Sequence, residues 1–208
     1  MKSKTFDQNW IEYDRWYEEN ESIYKAELNA VKELIPFGIG LEIGVGTGRF
    51  AHPFHVEYGI DPSLNMLHLS KKRNIQVVQG KGEELPFKNE AFHFILIMVT
   101  LCFVDDVSKL FSESMRTLKK NGKLITGLIN KNSVLGKKYD KSRQRSKFYK
   151  HARFFSPERI LKLFNETGFT LIDSRQTLFR SSGKIIDAET LKKGYNKGGF
   201  VVLKAEKI

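Results

Sequence analysis

The chain has 208 residues, of which 40% are hydrophobic and 28% charged, and this balance excludes a disordered or fibrous protein. Lys and Arg number 35 against 24 Asp and Glu, a formal net charge of +11, and the single cysteine excludes an intrachain disulfide and any multi-cysteine metal site. This length predicts one domain, residues 1–208, with one core.

The amino-terminal residues carry basic side chains without an apolar run behind them, so they predict no signal peptide. The longest apolar stretch, Phe92 to Val104, is shorter than the roughly 20 residues that span a bilayer. We therefore expect a cytoplasmic protein with no membrane span and no bound metal.

Short apolar runs alternate with longer amphipathic ones along most of the chain, which predicts an α/β fold with a parallel sheet. Two helices are predicted first, over 7–19 and 22–34. Strands are predicted over 39–43, 56–60, 75–78, 92–99, 123–129, 169–172 and 200–205, with helices over 63–72, 105–118 and 156–168. Only 12 residues separate the first two strands, so a helix there has little more than two turns.

The positive charge is concentrated in one segment. Between Lys131 and Arg153 the chain has nine basic residues and one acid, so this segment carries +8 of the net +11. The excess positive charge is therefore a property of one surface rather than of the whole protein.

A glycine-rich loop, Gly44 to Gly48, follows the first predicted strand. Glycines let a backbone approach a ligand closely, and the amino end of a following helix offers free N–H groups. A tight turn also needs glycine, so a purely structural loop remains an alternative. Arg49 stands where a dinucleotide-binding fingerprint needs its third glycine, which disfavours nicotinamide and flavin dinucleotides.

Two carboxylates are predicted beside this loop. Glu42 precedes it, where a negative charge suits a ligand with an ammonium group. Asp61 ends the second strand, 17 residues after Gly44, where a carboxylate can accept both hydroxyls of a ribose. A helix cap is the alternative role for Asp61.

Four motifs, at 42–48, 59–63, 80–87 and 118–124, resemble those of class I S-adenosylmethionine-dependent methyltransferases in their order and spacing. The resemblance is nearest to the small-molecule branch of ubiquinone and menaquinone biosynthesis. It covers about 34–168, and 200–207 resembles the last strand of that fold. It implies a Rossmann-like sheet of seven strands, parallel except for the last, with helices on both faces. The implied cofactor is S-adenosylmethionine, and the implied product is S-adenosylhomocysteine.

The resemblance implies a cofactor site formed by these motifs and by the end of the fourth strand: Glu42, Gly44, Gly46, Thr47, Gly48, Asp61, Pro62, Ser63, Met66, Gly82, Glu83, Met98, Val99 and Thr100. The loop glycines would line the methionine, with Glu42 near its ammonium and Asp61 on the ribose. Ser63 and Met66 would flank the adenine, the third motif would contact its edge, and the fourth strand's end would face the reacting methyl. Lys81 replaces an Asp that is common in the third motif.

Two segments outside the sheet are predicted to wall an acceptor site. The aromatic residues between Trp10 and Tyr17 share one helical face, so residues 1–35 form either a lid or a helical layer packed on the sheet. The basic insertion 131–155 forms either a cover for the acceptor or a solvated loop. Tyr13, Tyr149 and His151 are the candidate catalytic residues, with His151 as a candidate general base.

The predicted function is methyl transfer to a small-molecule acceptor by in-line displacement. The main alternative is an RNA methyltransferase whose segment 131–153 binds phosphates. A nicotinamide-dependent oxidoreductase is a further alternative. Because Lys81 replaces the common Asp, a non-catalytic subunit that retains the fold is also an alternative.

Overall fold

The computed structural model of the chain describes residues 2–181, 184–187 and 190–208. Its helices are α1 (Lys2–Gln8), α2 (Trp10–Glu19), α3 (Glu21–Lys32), α4 (Leu64–Lys72), α5 (Val107–Thr117), α6 (Val134–Ser142) and α7 (Pro157–Glu166). Its strands are β1 (Gly40–Ile43), β2 (Tyr58–Asp61), β3 (Gln76–Gln79), β4 (Phe92–Met98), β5 (Leu118–Ile129), β6 (Phe169–Thr177), β7 (Phe179–Ser181), β8 (Lys184–Asp187), β9 (Lys192–Lys193) and β10 (Phe200–Lys207).

The main sheet has the order β3-β2-β1-β4-β5-β10-β6-β9, and β7 and β8 form a separate hairpin. Pairing is parallel from β3 to β5, while β10 runs antiparallel to both β5 and β6. This confirms the predicted α/β class and the antiparallel last strand. The predicted count of seven is wrong, because the short edge strand β9 pairs with β6 and makes eight.

Side chains of the central strand β4 alternate between two cores. Phe94 and Leu96 pack on the side of α3 and α4, whereas Ile95 and Ile97 pack on the side of α5 and α7. Because both faces are covered, the strand is apolar at nearly every position. Helices therefore lie on both faces of the sheet, as predicted.

The crossover from β1 to β2 contains no α-helix. Its only helical element is one 3₁₀ turn, His52–Phe54, after which His55 adopts a positive φ of 53°. The predicted helix of about two turns is absent because the loop itself uses the first residues of the short connection. The glycine loop is therefore joined to β2 by turns rather than by an α-helix.

Three helices, rather than the predicted two, precede the sheet. They break at Asn9 and Asn20, whose side-chain amides donate to the carbonyls of Thr5 (2.8 Å) and Trp16 (2.9 Å). Asparagine side chains compete in this way with helical hydrogen bonds. The first break separates α1, which packs on α4, from α2, which packs on α3.

The basic insertion contains a helix, α6, that the periodicity did not predict. Ser133 caps it by accepting a hydrogen bond from the Gly136 N–H at 2.9 Å. In the part of the chain that the structure describes, no helix is long and apolar enough to cross a membrane.

Gly136→Ala is expected to destabilise the protein by about 1–3 kcal/mol, because the added methyl cannot be accommodated. A Cβ there would lie 2.0 Å from the backbone oxygen of Asn130, so α6 would have to move. Urea unfolding measures the effect. Val134→Ala, in the same helix and 47% exposed, is the control and should change stability by less than about 0.5 kcal/mol. Equal stability of the two variants would contradict this account of α6.

Candidate functional site

A cavity of about 290 Å³ lies over the carboxyl ends of β1, β2 and β4. Ligands of open parallel sheets bind at this edge, and the volume is near the lower end of the roughly 300–1,000 Å³ typical of ligand pockets. The lining residues come from the glycine loop, the three strand ends, the 80–83 loop, the segment after β4, and the helices α1, α2, α4 and α5. The cavity is therefore the candidate functional site.

The glycine loop forms one wall of this cavity. Gly44 has a φ of +72°, and a Cβ there would lie 2.4 Å from the side chain of Thr100, so a larger residue cannot be placed without strain. The Gly44 N–H donates to the Ile60 carbonyl at 2.8 Å. The loop thus folds back onto the end of β2 and leaves open space above Gly46. Among the described residues, Tyr13 is the one side chain that a Cβ at Gly46 would contact, at the ordinary distance of 3.8 Å.

Asp61 joins the loop to the end of β2. Its Oδ2 accepts the N–H of Gly46 at 3.0 Å, and its Oδ1 accepts the N–H of Ser63 at 2.9 Å. Burial raises the pKa of Asp61 to about 6, although these two hydrogen bonds act to lower it. The carboxylate lines the cavity, whereas the cap of α4 is Ser63 rather than Asp61, and the ribose contact of Asp61 stays a prediction.

Glu42 lies beneath the loop rather than in the cavity wall. Its side chain is fully buried, one of its oxygens accepts the backbone N–H of Ala51, and Oε2 has no partner among the described residues. Burial raises the pKa of Glu42 well above its usual value. Its expected contact with a ligand ammonium stays a prediction.

The third motif lines the other end of the cavity. A Cβ at Gly82 would lie 2.6 Å from Ile43 and 2.7 Å from Leu110, so only glycine leaves this wall in place. Glu83 also lines the cavity, and its carboxylate accepts the backbone N–H groups of Asp105 (3.0 Å) and Asp106 (3.4 Å). Lys81 is exposed at the rim.

Most of the expected cofactor-site residues line this cavity: Gly44, Gly46, Asp61, Pro62, Met66, Gly82, Glu83, Met98, Val99 and Thr100. Four others, Glu42, Thr47, Gly48 and Ser63, are buried behind it. Ser63 instead caps α4 by accepting the Met66 N–H at 3.3 Å. The assignment of all fourteen to a cofactor remains a prediction.

The helices α1 and α2 cover the cavity. Phe6 of α1 and Tyr13 of α2 line it, and their rings meet edge to face at 5.5 Å. Asp7 fixes α1 to the start of α4 by accepting hydrogen bonds from the Ser63 hydroxyl (2.7 Å) and the Asn65 N–H (3.1 Å). These contacts hold an aromatic cover over the strand ends.

Asp14 fixes α2 to the glycine loop. Its carboxylate accepts hydrogen bonds from the guanidinium groups of Arg49 (2.6 and 2.8 Å) and Arg73 (both 3.0 Å). Arg73 also donates to the Thr47 carbonyl. Arg49, which replaces a glycine of the dinucleotide fingerprint, therefore has a structural role in holding this cover.

A second cavity, of about 60 Å³, adjoins the first and shares the lining residues Phe6, Tyr13, Val99 and Phe103 with it. By volume it holds roughly four to six water-sized groups. Its other lining residues come from α2, α3, the strand ends and the basic insertion: Trp16, Tyr17, Ile23, Glu27, Ile129, Leu135, Tyr139, Phe148, Tyr149 and Leu178. It is thus a small aromatic chamber that meets the first cavity at these four shared residues.

The three candidate catalytic residues lie in different surroundings. Tyr13 lines both cavities, with its hydroxyl 2.9 Å from that of Tyr17, and burial raises its pKa above the usual value. Tyr149 lines the second cavity and stacks on Tyr139 at 5.3 Å. His151 is exposed and lines neither cavity, so the structure does not bring it together with the other two.

Phe6 and Glu27 line these cavities although the sequence analysis did not single them out. Phe6 continues the spacing of Trp10 and Tyr13, and this periodicity could have identified it. Glu27 lies between Ala26 and Ala30 on the buried side of α3. A charged residue within an otherwise apolar helix face was the available signal.

Val99 separates the two cavities and has a strained backbone. Its φ is +51°, which is rare for a β-branched residue, and its N–H donates to the Gly127 carbonyl at 2.8 Å. Such strain concentrates at functional sites. No group of three or more His, Cys, Asp or Glu residues in the described part of the chain could hold a metal ion.

Residues 41–126 match the family described as the methyltransferase domain. An uncharacterized protein of Methanocaldococcus jannaschii is 48% identical over 203 residues, covering 98% of each chain. A solved structure from Thermotoga maritima, described as an S-adenosylmethionine-dependent methyltransferase and possible histamine N-methyltransferase, has 41% identity and a TM-score of 0.93, covering 100% of both chains. The demethylmenaquinone methyltransferase of Lactococcus lactis is 26% identical over 156 residues, covering 72% of this chain and 57% of that protein.

Proposed function

The chain belongs to the class I S-adenosylmethionine-dependent methyltransferases, and we propose that it transfers the methyl group to a small-molecule acceptor held in the second cavity. The observation that carries this proposal is the pair of adjoining cavities. One has the glycine loop, the carboxylate and the strand ends suited to the methyl donor, and the other is a small aromatic chamber that adjoins it.

The first cavity fits S-adenosylmethionine. The open space above Gly46 accepts the methionine part, the Asp61 carboxylate is available to the ribose hydroxyls, and Gly82 leaves room for the adenine edge. When bound, the sulfonium supplies an electrophilic methyl group. The protein's contribution is alignment of the acceptor and exclusion of water.

The second cavity supports a small acceptor. Its aromatic walls, which include Tyr17, Tyr139 and Tyr149, exclude water, and its volume is too small for a polynucleotide. We propose that residues 1–35 and the insertion 131–155 together cover this acceptor site. The insertion contributes Phe148, whose ring lies 5.5 Å from Phe6 and 5.6 Å from Tyr13.

The descriptions of two relatives also support a small-molecule acceptor. The description of the Thermotoga maritima protein gives histamine as a possible acceptor, and the name of the Lactococcus lactis enzyme gives demethylmenaquinone as its acceptor. Both acceptors are small molecules. RNA remains the alternative, because all the basic side chains of 131–153 except the half-buried Arg143 are exposed. Such a surface binds phosphates with a strong dependence on salt.

A labelled methyl group distinguishes these acceptors. The purified protein is incubated with S-adenosylmethionine carrying a labelled methyl and with an extract of the source cells, and a boiled-enzyme control is run in parallel. We expect label in the small-molecule fraction. Label in nuclease-sensitive material that disappears at high salt would support RNA instead. Absence of cofactor binding in calorimetry would contradict both.

Tyr13→Phe is expected to lower kcat by less than about ten-fold, whereas loss of a general base costs roughly 10²–10⁴-fold. The reason is that burial raises the pKa of Tyr13, so its hydroxyl stays protonated at neutral pH. Tyr13→Ala removes the wall shared by both cavities and should lower kcat/KM for the acceptor more strongly. Both effects are measured as initial rates with an acceptor that the labelling experiment has identified. Trp10→Phe, which lines neither cavity, is the control; a large loss in Tyr13→Phe would instead indicate proton transfer by the hydroxyl.

A further inference from the structure

Glu27 places a carboxylate in the second cavity. Its side chain is only 6% exposed, and it makes no hydrogen bond or ion pair with any residue that the structure describes. A buried carboxylate without a partner destabilises a fold. Its presence among apolar neighbours therefore suggests that a ligand supplies the missing positive charge.

The other walls of the cavity suit a cation as well. Tyr13, Tyr17, Tyr139 and Tyr149 surround Glu27 closely enough that its charge raises the pKa of each. Trp16 and Phe148 complete the lining, and no Lys or Arg contributes to it within the described residues. Aromatic faces attract ammonium groups, most strongly where water is excluded.

We propose that this cavity binds the ammonium group of a small amine through the Glu27 carboxylate and the surrounding aromatic rings, and that the methyl group is transferred to the amine nitrogen. This inference rests on the proposed function, since it specifies the acceptor of the same site. The cavity volume restricts the bound group to a few non-hydrogen atoms around the nitrogen.

The transfer step requires a nitrogen lone pair. The bound ammonium gives one proton to the Glu27 carboxylate, which frees that pair. The nitrogen–carbon bond then forms as the sulfur–carbon bond breaks, and the bonding pair stays on sulfur as the thioether of S-adenosylhomocysteine. The proton on Glu27 leaves to solvent when the methylated amine departs.

The protonation state of Glu27 suits this role. Burial raises the pKa of Glu27 to about 8, so the group is largely protonated at neutral pH in the free protein, and a bound ammonium group favours its ionised form. The titratable groups that face it are the four tyrosines, from α2, α6 and the loop after α6, and burial raises the pKa of each. They stay neutral, so Glu27 is the only one of these five groups that changes charge near pH 8.

Binding can be measured without the donor, because Trp16 lines the cavity. In a Trp10→Phe background Trp16 is the only tryptophan, and its emission reports occupancy. The probes are methylamine, ethylamine and propylamine, each compared with the alcohol that carries a hydroxyl in place of the primary amine. We expect at least one amine to bind ten-fold or more tightly than its alcohol.

Glu27→Gln keeps the size of the side chain and removes its charge. We expect it to weaken binding of that amine ten-fold or more while S-adenosylmethionine affinity stays within about two-fold. Glu19→Gln, which removes an exposed carboxylate from α2, is the matched control. Equal affinity for amine and alcohol, or unchanged amine affinity in Glu27→Gln, would overturn the proposal.

A stability measurement tests whether Glu27→Gln still folds. The folded-state pKa is raised, so the stability associated with protonated Glu27 is present below the unfolded pKa and is lost as the pH rises through about 8. Glu27→Gln should therefore be more stable than the parent protein above pH 8, and melting curves measure this. A lower melting temperature at every pH would contradict an unpartnered carboxylate and overturn the proposal.

The donor assay separates this inference from the proposed function. Label on the amine nitrogen, dependent on Glu27, supports both. Binding of S-adenosylmethionine with label only on hydroxyl or carboxyl acceptors would overturn the amine site and leave the proposed function standing. Glu27-dependent amine binding without any S-adenosylmethionine binding would support the amine site while the proposed function fails.

Discussion

Asp61→Ala is expected to weaken S-adenosylmethionine binding ten-fold or more. The carboxylate lines the first cavity at the end of β2, and hydrogen bonds to a charged group contribute about 1.5–3 kcal/mol each. The substitution also removes the acceptor for the Gly46 N–H, so the glycine loop loses its link to β2. Both effects lower affinity, and calorimetric titration measures their sum.

Asp61→Asn is the informative companion variant. It keeps one oxygen to accept a backbone N–H but removes the charge, so its affinity should lie between those of the parent protein and Asp61→Ala. Melting curves of both variants report whether the loop remains folded. A properly folded Asp61→Ala variant with unchanged affinity would rule out Asp61 as a ligand of the ribose.

The pH dependence of binding follows from the same group. Burial raises the pKa of Asp61 to about 6, so the carboxylate becomes protonated as the pH falls below that value and loses an acceptor for a hydroxyl. Affinity for S-adenosylmethionine should therefore be constant well above pH 6 and decrease below it. In Asp61→Asn this decrease should be absent.

The strands β1 and β4 could be predicted from the sequence to within about one residue because they are buried on both faces of the sheet. The predicted strand 92–99 is observed as Phe92–Met98, and the predicted strand 39–43 is observed as Gly40–Ile43. The edge strand β9 could not be predicted in this way. It consists of two exposed lysines, Lys192 and Lys193, and pairs with β6 through the backbone, so no hydrophobic pattern marks it.

The site was predictable only where its residues form local motifs. The glycine loop and Asp61 lie next to each other because consecutive parallel strands end at one edge of a sheet. The second cavity draws on Phe6, Glu27, Val99 and Tyr149, which are far apart in the sequence. Their meeting depends on how the helices before the sheet and the insertion after β5 pack together, and no local pattern encodes that packing.

Asp14→Asn is expected to destabilise the protein by about 2–4 kcal/mol, because it leaves two partly buried guanidinium groups without their shared carboxylate. Asp14, Arg49 and Arg73 are only 13–20% exposed in their side chains. For a protein of this size the loss corresponds to a melting temperature lower by roughly 5–15 °C. Glu18→Gln is the control, since Glu18 also pairs with Arg49 but is 68% exposed, and such a pair contributes about 0–1 kcal/mol.

The same ion cluster should determine part of the acid sensitivity of the fold. Although burial raises the pKa of Asp14, the hydrogen bonds from Arg49 and Arg73 outweigh it and lower the pKa to about 2. A depressed folded-state pKa contributes stability above the unfolded value near 4, and that stability is lost as the pH falls toward 2. The stability difference between the parent protein and Asp14→Asn should therefore be largest at neutral pH and shrink on acidification. A constant difference between pH 7 and pH 3 would show that Asp14 stabilises the α2 cover through its shape rather than its charge.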